Sequence, residues 1–80
     1  MNKFIELFPG DIVTKYCKIL NENNGGILIE VLLVKNNNGY SNYKEGEIYF
    51  ISYSANLIYR VLKNDEIEKL KLKERTKEIF

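Results

Sequence analysis

The sequence predicts a mainly β domain of four to five short strands, followed by a helical turn. Three observations carry this expectation. Residues 11–20, 27–34, 47–54 and 57–62 are short runs rich in β-branched and aromatic residues, which suit a pleated, half-buried surface. Each run is bounded by Gly, Pro, Asn or Ser, the residues that favour turns. The chain is 80 residues long with 45% hydrophobic residues, enough for one core and no second domain, so residues 1–80 are read as a single unit.

Residues 3–8 are mostly apolar and stop at Pro9-Gly10, a turn signal in which Pro fixes φ and Gly accepts conformations that other residues resist. In residues 11–20, Val13, Cys17 and Ile19 share one parity while Ile12, Thr14, Tyr16 and Leu20 share the other, giving a strand with two partly apolar faces. Asn-Glu-Asn-Asn-Gly-Gly at 21–26 reads as a hairpin loop. Residues 27–34, broken only by Glu30, are expected to form a central strand that bends to serve two sheets. The stretch 36–46 is too polar for a core element. In residues 47–54, Tyr49, Ile51 and Tyr53 alternate with Ile48 and Phe50, and after a turn at 54–56 a short strand is expected over 57–62.

The end of the chain carries two conflicting periods. Asn64 or Asp65 suits an N-cap, Asp65 and Glu68 have capping-box spacing, and the residues from Glu66 onward favour helix. Against this, Lys69-Leu70-Lys71-Leu72-Lys73 alternates as a half-buried edge strand does. The reading adopted is a helical turn at 64–68, a short closing strand, and a frayed or helical tail over 73–80. A single helix over 65–78 is the alternative.

Composition removes most chemistry. There is no His, the usual general acid–base, and Cys17 has no imidazole to make its thiolate, so it reads as a small buried apolar residue. One Cys and no His cannot assemble a zinc or iron site, and Gly25-Gly26 leads into a strand, unlike a phosphate-cradling loop. The expectation is no enzyme, no cofactor and no small-molecule substrate. Twelve Lys and Arg against eleven Asp and Glu leave a net charge of +1, which argues against a strong nonspecific polyanion binder. A lone thiol suits a reducing compartment, residues 1–6 lack an apolar signal core, and no apolar run approaches the roughly 18 to 20 residues of a membrane span. The expected location is therefore cytoplasmic. Asn, Lys and Ile at ten each and Tyr at six make 36 of the 80 residues, all with A/T-rich codons, which points to a low-GC bacterium or to its phage or mobile elements.

Taken together, Pro9-Gly10-Asp11-Ile12-Val13 at a first strand, Gly46-Glu47-Ile48-Tyr49-Phe50-Ile51 at a middle strand and Asn64-Asp65-Glu66-Ile67-Glu68-Lys69-Leu70 before closure resemble an SH3-like small barrel. The resemblance spans residues 8–72 and implies a five-stranded barrel with a short helical turn, with a C-terminal helix as the alternative end; it implies no function by itself. A weaker similarity is to the MazF/PemK-type toxin ribonucleases, with their Gly-Asp strand and Gly-Gly loop. Here Gly25-Gly26 precedes Ile27-Leu28-Ile29 where that family has Arg-Pro, so the basic residue its chemistry needs is missing.

Binding is the function class that remains. Six Tyr and four Phe are many for 80 residues, and Tyr joins contact area to a polar tip. Tyr49, Tyr53 and Tyr59 share parity with Ile51, Leu57 and Val61 and read as core or core-rim residues. Tyr40, Tyr43 and Lys44, in the polar loop, are the candidate partner-binding residues. Two roles fit them: an interface anchor, or a loop packing its own Tyr over the barrel end. Residues 69–77 carry a local charge of +4. As a strand they would set Lys69, Lys71, Lys73 and Arg75 in one basic row facing phosphates or an acidic protein; as a helix the row scatters. Edge-strand Lys also guards against aggregation. The leading expectation is a non-enzymatic module that binds a protein through the 40–44 loop and nearby strand edges, for example a phage or mobile-element protein that inhibits or adapts a host factor. The alternatives are a nucleic-acid-binding barrel using the basic segment, and a structural subunit whose exposed sheet edge pairs between copies.

Overall fold

The computed structural model describes residues 3–35 and 42–76. Its strands are β1 (Lys3–Leu7), β2 (Thr14–Glu22), β3 (Gly26–Lys35), β4 (Ile48–Ser52) and β5 (Tyr59–Val61), with a 3-10 turn (Tyr53–Ala55) between the last two. Two short helices follow, α1 (Asn64–Lys69) and α2 (Leu72–Arg75). All pairings are antiparallel, in the order β4-β3-β2-β1-β5. The sheet is open, with β4 and β5 as its outer strands.

Both faces of this sheet are apolar, as the two-parity pattern of the second and third runs anticipates. Ile5 and Leu7 of β1, Cys17 and Ile19 of β2, Ile27, Ile29 and Val31 of β3 and Ile51 of β4 form the inner core. Phe4 and Leu32 point the other way and pack with Leu62, Ile67 and Leu72 in a second cluster. The pairing of β2 with β3 shifts register between Tyr16 and Cys17, where Leu32 is the extra residue, and again between Ile19 and Asn21. Such bulges bend a strand and increase its twist, and the first turns both Leu32 and Leu33 toward the outer cluster.

Loop chemistry sets the strand ends. Pro9-Gly10 form the centre of a turn closed by the Asp11 N–H on the Phe8 carbonyl at 3.2 Å, with Gly10 at φ 92°. Asp11 then accepts the Ile12 N–H at 2.9 Å, holding residues 11–13 in bends, so β2 starts at Thr14 and not at Asp11 as expected. In the β2–β3 hairpin, Asn23 Oδ1 accepts from the N–H groups of Gly25 (2.7 Å) and Gly26 (3.1 Å). The last strand is also shorter than expected, three residues within 57–62.

The closing strand expected around residues 69–73 is not there. The chain is helical on both sides of a break at Lys71, which adopts a left-handed conformation (φ 55°, ψ 41°). The break resets the helical phase, so that Ile67 of α1 and Leu72 of α2 are both buried against Phe4 and Leu32. Leu70, which caps the end of α1, and Leu72 of α2, whose spacing reads as a strand, thus lie on opposite sides of the break, and the single-helix alternative fails at the same residue. Residue 63, one position ahead of the expected caps, starts α1: its N–H donates to Glu66 Oε1 at 3.2 Å. Residues 77–80 of the expected tail lie outside the described residues. Among the described residues no helix is long and apolar enough to cross a membrane.

Gly26 is where strand spacing is tightest. A Cβ there would overlap the Ile51 carbonyl oxygen and stand 2.9 Å from both its carbon and Phe50 Cζ, and neither β3 nor β4 can withdraw without opening the inner core. Gly26→Ala should therefore destabilise the fold by about 2 kcal/mol or more in urea unfolding. Gly25→Ala, whose Cβ would meet its nearest neighbours at 3.4 and 3.9 Å, should cost less.

Candidate interaction surface

The loop-proximal end of the inner core is built around a buried cation. Lys15 of β2 lies opposite Leu7 and Val34, and its side chain is only 2% exposed. The ammonium donates to Asp11 Oδ2 at 2.8 Å and to the Val13 carbonyl at 2.9 Å. It also stands 5.9 Å from the ring centroids of both Phe8 and Tyr43, within reach of a cation–π attraction. The stem thus fills core space while the head is held by a carboxylate, a carbonyl and two ring faces.

Tyr43 is drawn into this arrangement. Its ring meets Tyr49 edge to face, with centroids 5.1 Å apart at 80°, and both half-buried rings pack against the inner core. Burial raises the Tyr43 phenol above its ordinary pKa. The Tyr49 hydroxyl accepts the Lys44 N–H at 3.1 Å and lies 3.2 Å from Glu47 Oε2. Of the residues singled out in the polar loop, Tyr43 caps the core end, Lys44 is exposed beside it, and Tyr40 lies outside the described residues. Tyr59 also packs half-buried against the core, whereas Tyr53 is largely exposed.

The basic residues near the end of the chain are not brought together. Lys69 ends α1, Lys71 is the break itself, and Lys73 and Arg75 lie on α2. Lys69 lines an open hollow of about 210 Å³ with Tyr16, Lys35, Glu66 and Leu70. Arg75 faces another, of about 340 Å³, with Leu32, Glu45 and Gly46, and its Nε donates to the Leu70 carbonyl at 3.1 Å. The row that a strand would have produced does not form.

The sequence suggests an exposed strand edge without naming its residues, and one lies on the outer side of β4. Ile48 is 57% and Phe50 53% exposed, and they point to the face opposite the buried Ile51. Leu28, half-buried, is the cross-strand neighbour of Phe50. The Val31 N–H donates to the Glu47 carbonyl at 3.0 Å and the Tyr53 N–H to the Gly25 carbonyl at 3.0 Å. In an antiparallel ladder the alternation then turns the backbone groups of Ile48, Phe50 and Ser52 outward, and among the described residues no strand pairs with them. For these residues the only sequence signal was the apolar character of both parities in residues 47–54.

The other outer strand is fastened by a guanidinium. Arg60 Nε and Nη2 donate to Glu6 Oε1 at 3.1 and 2.9 Å, and Nη1 and Nη2 to the two Glu66 oxygens at 3.0 and 2.9 Å. This fork ties β5 to β1 and to the first turn of α1. It lowers the Glu66 pKa, an effect to which the Lys63 N–H adds.

Among the described residues no group of three or more His, Cys, Asp or Glu is placed to hold a metal ion. Cys17 is buried, and burial pushes its thiol up to about 12. Comparison of the chain with protein-family models, curated proteins and solved structures returns no match.

The native Cys17 thiol should label with a thiol reagent only as fast as the protein unfolds, so its rate should rise with urea in step with loss of structure. The Asp11 carboxyl is held below its ordinary value of 3.8, first by the hydrogen bond from Lys15, then by the Ile12 N–H. A depressed folded pKa contributes stability above the unfolded value that is lost as pH falls through the folded one. In NMR titration, Lys15→Met should move the Asp11 carboxyl upward toward that ordinary value, and Asp11→Asn should flatten the acid limb of the stability curve.

Proposed function

We propose that this chain is a non-enzymatic, SH3-like small barrel that binds a protein partner through the outer edge of β4. The carrying observation is the combination on that one strand of outward backbone groups with two exposed apolar side chains, Ile48 and Phe50. Strand addition uses these features together: main-chain hydrogen bonds supply affinity and alternate side chains supply selectivity. Exposed Tyr53 follows the edge in sequence, and Lys44 lies beside the Tyr43–Tyr49 pair.

The SH3-like reading is supported by the strand order, by the bulges that bend β2 and β3, and by the 3-10 turn joining the two outer strands. The non-enzymatic reading rests on the absence of His from the sequence and on a buried, protonated Cys17. Scattering of Lys69, Lys71, Lys73 and Arg75 over two short helices and the break between them favours a protein partner over a nucleic acid, which would draw on a continuous basic surface.

The reading predicts that Phe50→Lys, with its circular dichroism unchanged, loses the proteins that the tagged wild-type chain captures from a low-GC bacterial lysate, as identified by mass spectrometry. Lys71→Glu should capture them as the wild type does. Equal capture by wild type and Phe50→Lys would remove β4 from the interface.

A further inference from the structure

Resting on the reading of β4 as a binding edge, we propose that its occupant is a second copy of this chain, paired antiparallel about a two-fold axis through Phe50. Ile48, Phe50 and Ser52 are the residues whose backbone groups face outward. In this register Phe50 exchanges both hydrogen bonds with its own copy, and the Ser52 N–H donates to the Ile48 carbonyl of the other copy, the Ser52 carbonyl being taken by the 3-10 turn that it caps. The edge is therefore complementary to itself, as a two-fold interface requires.

Charge favours the same occupant. Residues 48–59 contain no charged side chain, so the edge has nothing to select a charged partner and nothing to repel its own copy. The register sets Glu47 opposite Tyr53 and not opposite another carboxylate. A net charge of +1 adds little repulsion between whole molecules. On the outer face Leu28 and Phe50 are cross-strand neighbours, and pairing would continue this apolar strip through the second Phe50 to the second Leu28. The joined sheet would have ten strands, with the exposed apolar residues of each copy brought together at its centre.

The test combines sedimentation equilibrium with site-directed disulfides in the full chain. The wild type should show a concentration-dependent mass rising to twice that of the monomer. Ser52→Pro should weaken the association about tenfold or more by removing two symmetry-related hydrogen bonds. Ser52 already has φ −73° and ψ 145°, which proline adopts without strain; because proline also removes the hydroxyl that accepts the Ser54 N–H, Ser52→Ala, which keeps the backbone N–H, is its control and should associate as the wild type does. Phe50→Lys should be monomeric. A hydrogen-bonded antiparallel pair sets its Cα atoms about 5.5 Å apart, within the span of a disulfide, so Phe50→Cys should cross-link under mild oxidation. Ile48→Cys should not, since the two copies of residue 48 would lie about 13 Å apart along the strands; buried Cys17 does not compete. A wild type that stays monomeric throughout the micromolar range overturns the proposal, as does Ile48→Cys cross-linking as fast as Phe50→Cys. A monomer whose capture of another protein is still lost in Phe50→Lys overturns self-pairing alone and leaves the protein-binding reading standing.

Discussion

Val31 and Leu32 are neighbours in sequence, both are buried, and they belong to opposite faces of one strand. A sheet built on such a strand has to be covered twice. Bending of β2 and β3 at their bulges lets the strands cover the inner face themselves. The outer face has no second sheet, and Leu62, Ile67 and Leu72 supply its cover. Neither α1, with six residues, nor α2, with four, is long enough to be stable as an isolated helix in water. They persist because they cover Phe4 and Leu32, and because the Arg60 fork fixes the first turn of α1 to the sheet.

That cover runs from β5 toward β3 and thins before β4. The Thr76 hydroxyl donates to Glu30 Oε1 at 2.7 Å, and Glu30 is the cross-strand neighbour of Ile48. Beyond this point, among the described residues, Ile48 and Phe50 keep more than half their surface in solvent. The exposed edge is thus the part of the outer face that the short helices do not reach. The same placement of chain that completes the second core leaves the surface assigned to binding.

Much of the sheet was legible because its signal is local. Alternation in residues 27–34 and 47–54 and the Asn-Gly loop between strands follow from pleat and turn chemistry, which neighbouring residues determine. What escaped is set by long-range packing. The alternation of Leu70 and Leu72 is real, but a left-handed Lys71 sets Leu70 at the end of one helix and Leu72 at the start of another, and periodicity along one axis cannot represent two. Lys15 offered only its parity with Cys17 and Ile19, because a cation argues for solvent until Asp11, Phe8 and Tyr43 are known to surround it. Tyr43 was weighed both as an anchor and as a cap on the core end; its contact with Tyr49 depends on β4 passing beneath the loop, which no local pattern encodes. In Ile48 and Phe50 apolar character was visible, but which parity of β4 faces solvent follows from where the helices end.

The two outer strands are protected unequally, and the difference bears on function. β5 has three residues, and its central Arg60 is engaged by carboxylates of β1 and α1. β4 has neither a charge nor a proline, although 29% of the chain is charged and Lys and Asn number ten each. An uncharged outer strand with exposed apolar residues is a hazard in a protein that remains alone, since any strand can add to it. For a domain of this size, which buries only about 60% of its unfolded surface, pairing at β4 would remove that hazard and add apolar burial.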